Sequence, residues 1–249
     1  MISFTTSFQP TEAPNRNTTP MPLYSADSPR LWLQPLNLAD HLQDYFEIMS
    51  SPDSMLWSRS APHTSLEETR RLMLDSLPTP EKPWNKRWTI VLKPPSRHPP
   101  LPTTPISELQ PESESEPKSE SEREIPIPDG SEVEMEKEKG KAKMIGIIGT
   151  PRKGELAYKV HPAYWGKGYM SEALSMFLDM FWGDGVEDKP LTRLTAGADP
   201  ENIGSIRVLE KAGFTKGEYV KDFHVRGVND GSGVMSDMQF FVLERPPVR

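Results

Sequence analysis

The spacing of apolar residues changes several times along this chain, and each change marks an element. Over residues 155–173, ELAYKVHPAYWGKGYMSEA, the pattern first alternates, with Leu156, Tyr158 and Val160 on one face and Glu155, Ala157 and Lys159 on the other. That period of two predicts a strand. Beyond it, Met170, Ala173, Leu174, Phe177, Leu178 and Phe181 recur at helical intervals, while Ser171, Glu172, Ser175 and Asp179 keep the wetter side. Gly166 and Gly168 fall between strand and helix. A glycine turn there presents backbone N–H groups at the positive end of a helix, an arrangement suited to a pyrophosphate.

The same reading orders the rest. Leu31, Trp32 and Leu33 form a candidate strand. Asp40-x-x-Gln43 reads as a capping box for a helix to about Met49, with Leu42, Tyr45, Phe46 and Met49 facing one core. Ser65-x-x-Glu68 starts a second helix carrying Leu66, Leu72, Met73 and Leu77. Trp88, Ile90 and Leu92 alternate as a strand, and the apolar run 144–148 pairs beside it, which makes the intervening stretch an enlarged hairpin loop. After the glycine turn come a buried strand over 191–196 and a short helix. That helix starts at Asn202 and Ser205, buries Ile206, Leu209 and Ala212, and ends at Gly213 and Phe214 in a Schellman-like cap. Tyr219 and Val220 mark one further strand, and Met238, Phe240 and Val242 another, joined by a Gly-rich connection over 224–233. The expected order is strand, two helices, three strands, helix, strand, helix, two strands.

Composition limits what is folded. The chain has 249 residues, 35% of them hydrophobic and 26% charged, and no cysteine. Disulfides, thiolate metal sites and cysteine nucleophiles are thereby excluded, and no metal is expected. Of the net charge of −7, residues 94–143 carry −5, from twelve acidic and seven basic residues, so the remainder carries −2. That segment also holds ten prolines and no aromatic residue. It cannot bury enough apolar surface to offset its ordering entropy and reads as a disordered insertion. Residues 1–29, rich in Pro, Ser, Thr and Asn, read as a loose tail. What remains is a single domain over 30–249, interrupted by 94–143. No apolar run reaches the length of a membrane span and no secretory leader is evident, so a soluble cytoplasmic protein is expected, with the nucleus also open. The absence of a basic stripe with interleaved aromatics argues against nucleic acid. Nothing in the sequence sets an oligomeric state.

Two motifs in this order resemble the GNAT N-acetyltransferases, in particular the branch that acetylates ribosomal-protein N-termini. In that family a turn of form Arg/Gln-x-x-Gly-x-Gly/Ala holds the pyrophosphate of coenzyme A. Ala163-Tyr-Trp-Gly166-Lys-Gly168 matches it except at Ala163, where one polar contact is lost. Asn202-x-x-Ser205 followed by Leu209-Glu-Lys-Ala-Gly213-Phe214 agrees with the family's second signature. The resemblance implies an α+β GNAT fold, a central twisted, mostly antiparallel mixed sheet with helices on both faces. It also implies acetyl-CoA as cosubstrate and a primary amine as acceptor, either a protein N-terminus or a small molecule.

Amine acetylation needs a thioester held still, a neutral amine and a proton donor for the departing thiolate. On the resemblance, Val160, Gly166, Lys167, Gly168, Tyr169, Met170, Asn202 and Ser205 contact the cofactor, and Ser205 donates to the sulfur. Asn202 and Ser205 are also good helix-capping residues. Glu155, at the head of the strand, is the candidate general base, directly or through water, with His161 the weaker alternative. Tyr158 is expected to pack in the core, and Tyr219 and Asp237 are open as acceptor-pocket residues. The rival of the same fold is a catalytically weak or inactive acyl-CoA-binding module, motivated by Ala163 and the insertion. A dinucleotide fold fails at the missing third glycine of G-x-G-x-x-G, and Gly149 to Gly154 lacks the Lys and Ser/Thr of a P-loop.

Overall fold

The computed structural model describes residues 25–94, 142–183, 191–228 and 235–247. Most of the expected tail and insertion lie outside these ranges, as does part of the Gly-rich connection.

Short strand β1 (Ala26–Asp27) pairs with β2 (Leu31–Pro35). Helices α1 (Leu38–Ser50), α2 (Pro52–Met55) and α3 (Leu66–Asp75) follow, then β3 (Lys86–Leu92), β4 (Lys143–Arg152) and β5 (Glu155–Val160). A turn of 3-10 helix, Pro162–Tyr164, leads to α4 (Tyr169–Gly183), β6 (Arg193–Ala198), α5 (Ile203–Lys211), β7 (Thr215–Val225) and β8 (Met235–Glu244). The expected order holds, with β1, α2 and the 3-10 turn added. Each addition is too short to show a hydrophobic period.

The strands form one sheet in the order β1-β2-β3-β4-β5-β6-β8-β7. Only β5 and β6 run parallel; the other neighbours are antiparallel. Leu92 pairs with Lys143, so the chain on either side of the long insertion is one hairpin. Buried Tyr45, Ile48 and Met49 of α1 and Met73 of α3 close one face over Met144 and Ile147. On the other face, Ala173, Leu174 and Phe177 of α4 and Leu209 of α5 pack on Ile90, Ile148, Leu194 and Phe241. Fully buried Phe177 meets Trp88 edge-on, with ring centroids 5.7 Å apart.

The helix ends follow local chemistry. Asn37 rather than Asp40 caps α1: its Oδ1 accepts from the Asp40 N–H at 2.9 Å, which puts Asp40 in the first turn. Asn37 is the polar residue directly ahead of the first helical position, where a cap belongs. Ser65 caps α3, and Glu68 reaches back to the Thr64 N–H at 2.8 Å. At the end of α5, Gly213 has φ +90° and Phe214 N–H donates to the Leu209 carbonyl at 3.1 Å, closing the Schellman cap.

Candidate active site

The parallel pair at the centre of the sheet is very short. β5 and β6 pair only at Glu155–Thr195 and Leu156–Ala196, and then part. At the far end of β5, His161 N–H donates to Ile145 on β4 at 2.9 Å. Because backbone groups alternate in direction along a strand, Val160 and Tyr158 turn theirs to the opposite edge, into the gap toward β6. The Val160 carbonyl there accepts the Trp165 indole N–H at 2.7 Å. The gap is thus edged by strand amides that no neighbouring strand takes.

The glycine turn follows the end of β5 beside this gap. Gly166 has φ +71° and Gly168 φ +78°, a region that side-chain-bearing residues rarely adopt. The Gly168 carbonyl accepts from Glu172 N–H at 3.1 Å, so Gly168 caps α4 and the N–H groups of Tyr169, Met170 and Ser171 have no partner within the helix. Lys167 Nζ donates to the Ala163 carbonyl at 2.9 Å, which ties the loop across itself. His161 Nδ1 accepts from Ala163 N–H at 3.2 Å and caps the 3-10 turn.

On the opposite wall stands α5. Asn202 Oδ1 accepts the Ser205 N–H at 3.0 Å, the capping role, and the Ser205 hydroxyl stays available. It meets the Tyr158 hydroxyl at 2.7 Å across the gap. Tyr158 packs against the core through its ring, as expected, but its hydroxyl reaches the site. Burial pushes this phenol well above its ordinary range, and the hydrogen bond to Ser205 offsets only part of that. It therefore stays protonated and able to donate.

Glu155 is not brought to this pair. It sits at the head of β5, held in two-point contact by Arg152 (Nε to Oε2 2.6 Å) from the end of β4. Tyr219 donates to Asp237, whose Oδ1 also accepts the Asp222 N–H at 3.0 Å. The two close the bulge in β7, where Asp222 has φ +49°.

A second group lies on the α2 side of β5: the loops around Trp57 and His224, open in the sequence as sources of acceptor-pocket residues, meet there, and Lys159 and Ser58 join them without any signal in the sequence. Lys159 Nζ lies 2.8 Å from Ser58 Oγ, and burial pulls it down to about 8. Next to it, Gly227 N–H donates to the Ser58 carbonyl at 2.7 Å, and Arg226 stacks over Trp57 at 4.4 Å while binding Asp199 and Glu201. These contacts bridge the loop after α2 to the end of β7. His224, buried beside the bridge, has no partner for either ring nitrogen among the described residues. Burial, and then the charge of Arg59, lower its proton affinity, against a smaller opposing pull from Asp199. Among the described residues no group of three or more His, Asp or Glu side chains is placed to hold a metal, and no helix is long and apolar enough to cross a membrane.

A mixed sheet whose one parallel pair parts above a glycine turn at a helix start defines the class of acyl-CoA N-acyltransferases. The chain belongs to the GNAT family: residues 30–215 match the acetyltransferase (GNAT) domain model. It is 36% identical over 91 residues to the probable N-acetyltransferase YjcK of Bacillus subtilis (strain 168), covering 36% of this chain and 48% of that protein. The matched part thus spans about half the length of that relative. Among solved structures it is similar to the ribosomal L7/L12 α-N-protein acetyltransferase RimL in complex with coenzyme A. That likeness has a TM-score of 0.56 at 14% identity, over 87% of this chain and 95% of that one. It is also similar to spermidine N-acetyltransferase from Vibrio cholerae in complex with CoA and spermine. There the TM-score is 0.53 at 13% identity, over 86% and 95% of the two chains.

Proposed function

We propose that this protein transfers the acetyl group of acetyl-CoA directly to a primary amine, without a covalent enzyme intermediate. The observation that carries this reading is the gap between β5 and β6, edged by outward-facing Tyr158 and Val160 amides, with the Ser205–Tyr158 pair on its wall. Acetyl-CoA supplies the acyl group as a thioester. The N–H groups of Tyr169 and Met170, with Gly166 and Gly168 allowing close approach, bind the diphosphate, and Lys167 adds positive charge beside it. A backbone amide at the free edge of β5 around Val160 polarises the acyl carbonyl. A C–N bond forms as the C–S bond breaks, the sulfur takes its proton from Ser205, and Ser205 regains one from solvent as the proton collected by the base is released there. Tyr158 donates to Ser205 Oγ, which makes that hydroxyl a better donor. Glu155 takes the amine proton through a water beside its Arg152-bound carboxylate. Asn202 sets the start of α5 and thereby the position of Ser205.

The acceptor is a protein N-terminus or a small amine, since the similar structures include an α-N-protein acetyltransferase and a spermidine N-acetyltransferase. Purified protein incubated with acetyl-CoA and a panel of N-terminal peptides and small amines is expected to release free thiol. Binding of coenzyme A by calorimetry with no thiol release from any acceptor favours a non-catalytic acyl-CoA-binding module, the reading that Ala163 motivates. No binding at all defeats both.

A further inference from the structure

The family turn has a polar side chain where this chain has Ala163, and the structure brings a different one to the far end of the turn, at residues 167–169. Arg30, on the link between β1 and β2, reaches the turn from 137 residues away in sequence and donates from Nη1 to the Lys167 carbonyl at 3.1 Å. Its Nη2 lies 3.6 Å from the position a Cβ on Gly168 would take, and its guanidinium stacks 4.5 Å above the Tyr169 ring. Two residues of the expected diphosphate cradle, Lys167 and Tyr169, are thus in contact with one side chain, and a third, Gly168, lies beside it.

The same guanidinium holds Glu172, in the first turn of α4, from Nε at 2.7 Å. Glu172 also accepts from the Arg30 N–H at 3.3 Å and from the Ser28 hydroxyl at 2.7 Å. Burial opposes its ionisation, but the bonds from Ser28 and Arg30 and the charge of Arg30 outweigh that and keep the carboxyl below its usual range. A fixed carboxylate one turn into a helix suits the helix dipole but repels an anion arriving at the same end. Lys167 alone only cancels it. With Arg30 added, the neighbourhood is left with one net positive charge. The Arg30–Lys167 bond also fixes a peptide unit of the turn before any ligand arrives, so less order remains to be imposed on binding.

We propose that Arg30 is a cofactor-positioning residue, which holds the 166–169 turn in its anion-accepting shape and cancels the Glu172 charge beside the diphosphate of coenzyme A. This rests on the reading of the turn as the diphosphate site.

The test compares coenzyme A with pantetheine, which lacks the diphosphate, by calorimetry on the full chain carrying Arg30→Gln, Glu172→Gln or both. Arg30→Gln is expected to weaken coenzyme A binding about tenfold or more, the effect of removing about 1.4 kcal/mol, and to leave pantetheine affinity unchanged. The double variant is expected to regain part of that loss, because no carboxylate then remains to be cancelled. Glu172→Gln alone, which leaves the basic residue in place, is expected to bind coenzyme A at least as tightly as the natural chain. An equal loss for both ligands, no loss for either, or no recovery in the double variant overturns the role of Arg30. If the natural chain binds coenzyme A no more tightly than pantetheine, the diphosphate site itself is wrong.

Discussion

At the scale of single residues, two hydroxyls and one amine separate the roles most sharply. Ser205→Ala removes the donor to the sulfur and is expected to lower kcat by about 100-fold or more, within the range of general acid catalysis. Tyr158→Phe keeps the ring packing and Ser205, and is expected to cost about tenfold. Steady-state kinetics check both, and KM for acetyl-CoA should move little in either variant. Equal losses would mean that Tyr158 protonates the sulfur itself. Lys159 gives a pH signature instead. Its folded value of about 8 lies below the ordinary 10.5, so between these limits the unfolded chain binds more protons. Stability must then rise with pH from about 8 to 10.5, and the full penalty applies below 8. Lys159→Met should raise the melting temperature at pH 7 and flatten that rise; a melting curve as steep in the variant as in the natural chain would show that Lys159 is not the source. The local chemistry of Gly166, Gly168 and Asn202 was legible in the sequence because each acts within four residues of itself. The meeting of Tyr158 with Ser205 was not, since 47 positions separate them and only the sheet's parting brings them together. Alternation along β5 had already put Tyr158 on the same face as Val160, and that was the available signal.

Between elements, the bridge from the loop after α2 to the end of β7 is the part that sequence patterns did not foreshadow. Neither segment has a hydrophobic period, and the contact depends on Gly227 lying against backbone. A Cβ there would stand 2.0 Å from the Ser60 carbonyl carbon. Gly227→Ala therefore has to part the two loops, losing the Gly227–Ser58 bond and the seat of Arg226 on Trp57. The expected cost is about 1–3 kcal/mol, as for other overpacked sites, read from urea denaturation. Coenzyme A affinity should be unchanged, because the glycine turn lies on other elements. Helices α1, α4 and α5 were readable from their apolar stripes and α3 from its Ser65–Glu68 cap; of the residues expected to face the core there, Leu66 and Leu77 are exposed, and Met73 with Thr69 is what α3 buries. The one displaced start, α1, moved because Asn37 outcompetes Asp40 as the cap.

For the whole molecule, the Leu92–Lys143 pairing bears on the insertion. Replacing the 47 residues 95–141 by a four-residue turn shortens the loop by about 3.5 doublings, worth about 2 kcal/mol of stability at about 0.6 per doubling. Denaturation should show that gain with coenzyme A affinity unchanged; a loss of either would mean that the segment docks on the domain. The hydrophobic pattern located the two strand ends that flank this segment, because that signal is a local average that survives a long interruption. The parting of β5 from β6 carries a different consequence. Five strands on one side and three on the other are joined by two residue pairs, so the sheet is nearly two sheets hinged at one seam. Whatever molecule hydrogen-bonds to the free edge of β5 becomes mortar in that seam, and the ligand is then a structural component of the protein that it visits. Amide hydrogen exchange in β6 and β8, the flank held on by those two pairs, should accordingly slow when the gap is filled.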